Sequence, residues 1–298
     1  MTERRPGPDH ALYRHAPRPD RTPLRWPNDA RIALVVFLYF ETWEIDPPQA
    51  SVYDKRHDGA IGGLFPNYKT YSQYEYGNRV GMARALDLID RHRLPVTVAA
   101  NAGACVKYPY LVRQFRERSF EFSAHGSFAT RMLSSRMSEG EERAAIAESL
   151  DTIAQTTGTR PRGWIGQDYG ESTMTPRLLA EAGLDYVADW GNDDQPYFLS
   201  TQPPLLSIPN QAEWDDVQMI SHRKVHPAIW RDTVLEAFRQ LHADGRASGT
   251  VFGLHIHPWL IGQPHRIAIL EAVVDKIAAA SRVWRTTAGG IADHVARR

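Results

Sequence analysis

The strongest constraint on the fold of this 298-residue chain is a repeated alternation of short apolar runs with helix-length segments. Arg31 to Phe40 is an almost unbroken run of Ile, Ala, Leu, Val and Phe with no polar face, which reads as a strand covered on both sides. From Arg79 the pattern predicts a helix to His92, a strand Val96 to Ala100, a helix around Tyr108 to Arg118, and a strand Phe120 to Ala124. Ser138, with Glu141 three residues on, forms a capping box that opens a helix to about Thr156, and Gly158 stops it. A strand near Gly163 to Ile165 follows. Thr175-Pro176 opens another helix, closed by Gly183, before a strand Asp185 to Ala188. Helices near Trp230 to His242 and Arg266 to Ala280 bracket a strand at Val251 to Ile256, and Val283 to Thr286 precedes a last short helix. Strands joined by helices share one largely parallel sheet with the helices outside. No repeat or linker interrupts the series, so 31–298 reads as a single α/β domain, a barrel or barrel-like sheet.

Three stretches escape this pattern. The first thirty residues are rich in Pro and Arg and read as an arm, ordered against a neighbouring subunit. The thirty-odd residues after Phe40, through Gly62-Gly63 and the tyrosines around Tyr68 to Tyr76, read as a long functional loop. An irregular segment runs from about Asp189 to Pro227.

Composition narrows the function. Lys+Arg 35 balance Asp+Glu 35, so no positive field exists to hold a phosphate backbone, and nucleic acid is excluded as a partner. The single Cys105 cannot form an internal disulfide and reads as a packed, inert thiol. No apolar run is long enough for a signal peptide or a membrane span, so the expected setting is the cytoplasm, with a small-molecule substrate.

Chemistry concentrates at predicted strand ends. In Leu254-His255-Ile256-His257-Pro258-Trp259, alternation with period two puts His255 and His257 on one face, and Pro258, lacking an amide hydrogen, stops the strand there. Glu41, Asn101, His125, Gln167 with Asp168, and Asn192 to Asp194 fall at the carboxyl ends of other strands. Each has a bland alternative as a cap, a turn or a solvated loop. Their recurrence at one rim of a barrel builds a cavity where carboxylates and imidazoles face each other, suited to general acid-base work. Trp43, Trp164, Trp190 and Trp259 sit beside the same rim and would form flat walls, or simply pack the barrel top.

Phe40-Glu41, Glu121-Phe122-Ser123-Ala124-His125-Gly126, Arg160-Pro161-Arg162-Gly163-Trp164 and Ile256-His257-Pro258 occur in the order of the motifs of the NodB-type polysaccharide deacetylases, which the chain resembles over nearly everything after the arm. More closely it resembles the branch with metal-independent allantoinases and cyclic-imide hydrolases, through Asn192-Asp193-Asp194-Gln195-Pro196-Tyr197 and the run from His257 to Arg266. The resemblance implies a distorted (β/α) barrel of about seven strands that hydrolyses a carbon-nitrogen amide bond, in a homodimer or homotetramer. In the family's metal-binding members the catalytic base falls at Tyr39 and a metal ligand at Glu41. Their second motif has one histidine at His125 and another at the position of Ala129, which cannot bind metal.

Two enzymatic readings follow. In the first, no cofactor is required: Glu41, His125, His257 and His255 are the catalytic candidates, and Trp43, Trp164, Gln167, Asp168, Asp193, Trp259 and Arg266 the substrate-binding ones, for opening an imide, ureide or hydantoin-like ring. In the second, Glu41, His125 and His257 hold zinc or another divalent ion in an N-deacetylase or deformylase. A third, non-enzymatic reading is an inactive barrel that binds a ligand or partner.

Overall fold

The computed structural model describes residues 10–58 and 66–297. Among the described residues nine strands form one sheet: β1 Ile32–Phe40, β2 Val96–Ala100, β3 Glu121–Ala124, β4 Gly163–Trp164, β5 Tyr186–Val187, β6 Tyr197–Leu199, β7 Leu205–Ser207, β8 Thr250–Ile256 and β9 Val283–Thr286. Their order is β6-β7-β5-β4-β3-β2-β1-β8, with β9 paired to β1. Every pairing is parallel except β6 with β7. The expected barrel is therefore present, with two strands more than seven. The extra pair, β6 and β7, lies in the stretch expected to be irregular; each is three residues long, too short to show a period.

Alternation along the strands sorts the apolar residues into two cores. Ala33, Val35, Phe37 and Tyr39 of β1 join Ala99, Ile165, Tyr186, Leu206 and Val251 inside the barrel. Ile32, Leu34, Val36, Leu38 and Phe40 join Val98, Phe122, Trp164, Phe252 and Leu254 against the outer helices. All nine residues of β1 are buried, as its two-sided apolar sequence requires.

The strand order leaves a gap between β8 and the segment after β7. Gln211 fills it with its side chain: Nε2 donates to the Val251 carbonyl (2.7 Å), and Oε1 accepts from the Gly253 amide. Trp214 Nε1 donates to the Gly253 carbonyl (3.1 Å) on the same edge. A carboxamide thus takes the place of a peptide group along the edge of β8, satisfying backbone polar groups that would otherwise be buried unpaired.

The arm, seen from His10, packs on the barrel of its own chain. Trp26 is buried in the inner core and donates to the Thr250 carbonyl (2.8 Å), and Gly249 donates to the Leu24 carbonyl (2.8 Å). The segment expected as a long loop contains a helix, Tyr68–Tyr76, capped by the Asn67 side chain on the Thr70 amide. Its sequence carries little amphipathic signal; packing of Tyr74 on Trp43 (centroids 3.9 Å) holds it. Gly77 and Gly81 let the following turn lie against the chain just after β8, because a Cβ at Gly81 would meet the Pro258 carbonyl oxygen at 2.0 Å. Glycines 62 and 63 lie outside the described residues. The helix Glu139–Thr157 has the predicted capping box and ends at Gly158 with φ 77°. Burial pushes the Cys105 thiol up to about 12, so it packs as a neutral, unreactive group. Among the described residues no helix is long and apolar enough to cross a membrane.

Candidate active site

Five parallel strands deliver a polar residue to the rim: Glu41, Asn101, His125 and His257 directly follow the last residues of β1, β2, β3 and β8, and Gln167 lies three residues beyond β4. Glu41, His125, Gln167, Asp168, His257 and Trp259 line one cavity, together with Tyr39, His57, Tyr169, Asp215 and Gln218.

Glu41 sits in the floor of this cavity. Its Oε1 accepts from Gln167 Nε2 (3.1 Å) and lies 3.4 Å from His125 Nε2, while Oε2 is buried without a partner. His125 Nδ1 donates to the Ile165 carbonyl (2.6 Å), which fixes the ring with Nε2 toward Glu41. Asn101 ties the two strand ends together, accepting from the Thr42 amide (3.0 Å) and donating to the His125 carbonyl. Burial pushes the Glu41 carboxyl up, but the His125 contact and the positive His257 outweigh it and hold the group down at about 2.

Across the cavity, His257 is held by an acid absent from the sequence expectations. Its Nδ1 donates to Asp216 Oδ1 (2.5 Å) and its backbone amide to Asp216 Oδ2 (3.0 Å). Asp215 Oδ2 lies 3.9 Å from the same Nδ1. Burial opposes charge on the ring, yet Asp216, Asp215 and Glu41 raise it to about 10. Beneath it, Tyr39 stacks on the imidazole with centroids 3.7 Å apart and planes at 16°. Both acids belong to the irregular segment, where nothing but a polar pair, Asp215-Asp216, marked them in the sequence.

His255 faces the barrel interior as alternation predicted, but one layer lower, in register with Phe37. Its Nδ1 bonds the Tyr39 hydroxyl (2.9 Å), and Tyr39 in turn meets the Tyr169 hydroxyl (3.3 Å), which donates to Asp215 Oδ2 (2.8 Å). Burial and the nearby His257 charge bring His255 down to about 3. This neutral ring supports Tyr39 from below and does not line the cavity, which corrects its expected catalytic place.

The remaining wall comes from the unread segment. His57 Nε2 lies 2.9 Å from Asp168 Oδ1 and its Nδ1 is 3.0 Å from the Tyr74 hydroxyl. Asp168 and Tyr169 have φ of 48° and 58°. Two consecutive left-handed side-chain residues cost of order 1–3 kcal/mol each, so surrounding bonds must hold this turn. Trp259 lines the cavity and meets Tyr74 edge-on (4.6 Å).

Four expected substrate contacts, and the expected wall residue Trp190, lie elsewhere. Trp164 faces outward from β4, because the inward position is Gly163, whose space the Tyr186 ring fills. Asp193 is ion-paired with Arg21 of the arm (2.6 Å) and caps the Gln195 amide (3.0 Å). Arg266 donates to the Leu260 carbonyl (3.2 Å) and is absent from the lining. Trp43 packs on Tyr74 in an outer depression next to the cavity, and Trp190 donates to Glu171 (3.1 Å).

The residues do not fit the metal that the deacetylase motifs imply. The third donor position is Ala129, a buried methyl group. Among the described residues, the group of acidic and imidazole side chains whose donor atoms lie within 4.8 Å of one another is Asp215, Asp216 and His257, not the expected Glu41, His125 and His257. In that group the Asp216 oxygens already accept from His257 Nδ1 and from its backbone amide.

Residues 66–187 match the polysaccharide deacetylase family. The crystal structure of PuuE allantoinase superposes with a TM-score of 0.82 at 28% identity, covering 92% of this chain and 94% of that one. A probable polysaccharide deacetylase from Pseudomonas aeruginosa PAO1 gives a TM-score of 0.83 at 28% identity, over 94% and 95% of the two chains. The peptidoglycan deacetylase of Helicobacter pylori is 21% identical over 260 residues, 75% of this chain and 86% of the other.

Proposed function

From the premise that the chain carries a NodB-type polysaccharide deacetylase domain and is a hydrolase of non-peptide carbon-nitrogen bonds, we propose that it opens a small cyclic amide, an imide, ureide or hydantoin-like ring, without a metal. The observation that carries this reading is the opposition of two groups lining one cavity. Glu41 is held ionised at about 2 and His257 protonated at about 10. Environments that push two titratable groups apart mark a base and an acid.

In the proposed reaction, water lies against Glu41 and attacks a ring carbonyl. A carboxyl this acidic removes the water proton only once carbon-oxygen bond formation has made that proton strongly acidic, so its first task is to orient the water. As the carbon-nitrogen bond breaks, His257 delivers the proton of Nε2 to the leaving nitrogen and becomes a neutral ring whose Nδ1–H still donates to Asp216. Glu41 then returns a proton to His257, and one water has been added. A conjugated imide or ureide nitrogen leaves readily enough to need no Lewis acid. A zinc-dependent deacetylase would need a third ligand where Ala129 stands.

The test is turnover by untagged protein after exhaustive chelation, offered succinimide, hydantoin and allantoin beside an N-acetyl sugar. Ring opening without metal is expected. No ring opening, with deacetylation appearing on addition of zinc, would overturn the reading.

A further inference from the structure

His57 stands on a stretch with no periodic signal, yet its hydrogen bonds specify its state. The Tyr74 hydroxyl donates its one proton to the His57 carbonyl (2.8 Å), so His57 Nδ1, 3.0 Å from the same oxygen, must be the donor to it. Nε2 faces Asp168 Oδ1 at 2.9 Å, and a carboxylate only accepts. Both ring nitrogens therefore carry hydrogen. The acid on the far side is half used: Asp168 Oδ2 is buried without a partner, in the same cavity as the unpartnered Glu41 Oε2. Its side chain is 9% exposed, and the strained turn at Asp168 and Tyr169 aims Gln167 and Asp168 into one space.

We propose that His57 is a positioning residue for substrate binding: its imidazolium holds the Asp168 carboxylate so that Oδ2 stays free on the cavity wall to accept a ring N–H, which selects rings carrying an unsubstituted nitrogen. The inference rests on the cyclic-amide reading and adds to it the face on which the ring is recognised. The charges around the ring agree. Burial works against the cation, but Asp168 outweighs it, assisted by Glu41 and Asp54. His222, edge-on at 4.8 Å, is kept down at about 4 by its own burial, by His57 and by Arg56, so it adds no competing charge near neutral pH. Removing His57 takes away the hydrogen bond and the counter-charge that hold the Asp168 carboxylate, so Oδ2 is no longer fixed on the cavity wall to accept from the ring.

Two measurements test this. Nitrogen-15 NMR titration of the ring, made without substrate, should show His57 doubly protonated at pH 7 in the parent and deprotonating at lower pH in Asp168→Asn. In kinetics, His57→Asn should raise KM for an N–H ring about 10- to 100-fold with kcat within about threefold. An N-methylated ring should be bound poorly by parent and variant alike. A singly protonated His57 at pH 7 or an unchanged KM would overturn the proposal. If the parent opens no ring, the functional reading fails on its own; the titration, with calorimetric binding of hydantoin against its N-methyl analogue, still decides this one.

Discussion

Asp216→Asn isolates the charge behind the proposed acid. The substitution keeps the shape and an acceptor for His257 Nδ1 but removes a carboxylate that lies 2.5 Å from that nitrogen and also takes the His257 amide at 3.0 Å. His257 stands at about 10 against an ordinary 6.5, a differential interaction of roughly 5 kcal/mol shared among Asp216, Asp215 and Glu41. Loss of one close opposite charge lowers such a group by about 1–3 units, so the alkaline limit should fall to between about 7 and 9. With a protonated His257 required, kcat at pH 9 should drop by about 2- to 100-fold while kcat at pH 6 changes by less than about twofold. The assay is a pH profile of ring opening from 5 to 10.5. Stability should follow the same ring. A raised pKa stabilises fully below about 6.5 and ceases to do so as pH passes about 10, so the variant should lose most melting temperature at pH 6 and least at pH 10. An alkaline limit that stays in place, or a loss equal at pH 6 and 9, would refute the reasoning.

Glu41→Gln should reduce turnover by about 10²–10⁴ with the fold intact by circular dichroism. It should also remove an acid-side stability term: a carboxyl held at about 2 stabilises above its ordinary 4.5 and stops doing so as pH falls toward 2, which acid titration of both proteins would show. Tyr39→Phe keeps the ring under His257 but deprives His255 of its bond, so it should cost about 1–3 kcal/mol in urea melts and leave the alkaline limit in place; Tyr39→Leu should lower that limit as the stacked π-face is lost. Gln211→Leu strands an amide and a carbonyl of β8 and should destabilise by about 2–6 kcal/mol in urea, with KM little changed in what remains folded.

Why part of the site was legible can be seen at β8. Alternation fixes which face His255 and His257 share, and Pro258 fixes where the strand stops, so the sequence placed both rings inside the barrel. It could not give depth, because depth depends on register with β1, where His255 meets Phe37. Trp164 shows the same limit. Its neighbour Gly163 is a small inward residue that leaves room for the Tyr186 ring, a fact visible only once β4 and β5 pair. Asp193 looked like a rim acid until Arg21, 172 residues away, claimed it.

What the chain determined unaided was a parallel α/β barrel and the gathering of Glu41, His125, Gln167 and His257 at one end, since parallel strands of matching polarity must bring their carboxyl ends to one rim. The partners that set the charge of those residues were decided by tertiary structure alone. Asp216 reaches His257 across 41 residues and His57 reaches Asp168 across 111, both from segments with no periodic signal. A side chain's protonation depends on what folding buries it against, and sequence spacing records the period of a strand or helix but not the neighbour across the cavity.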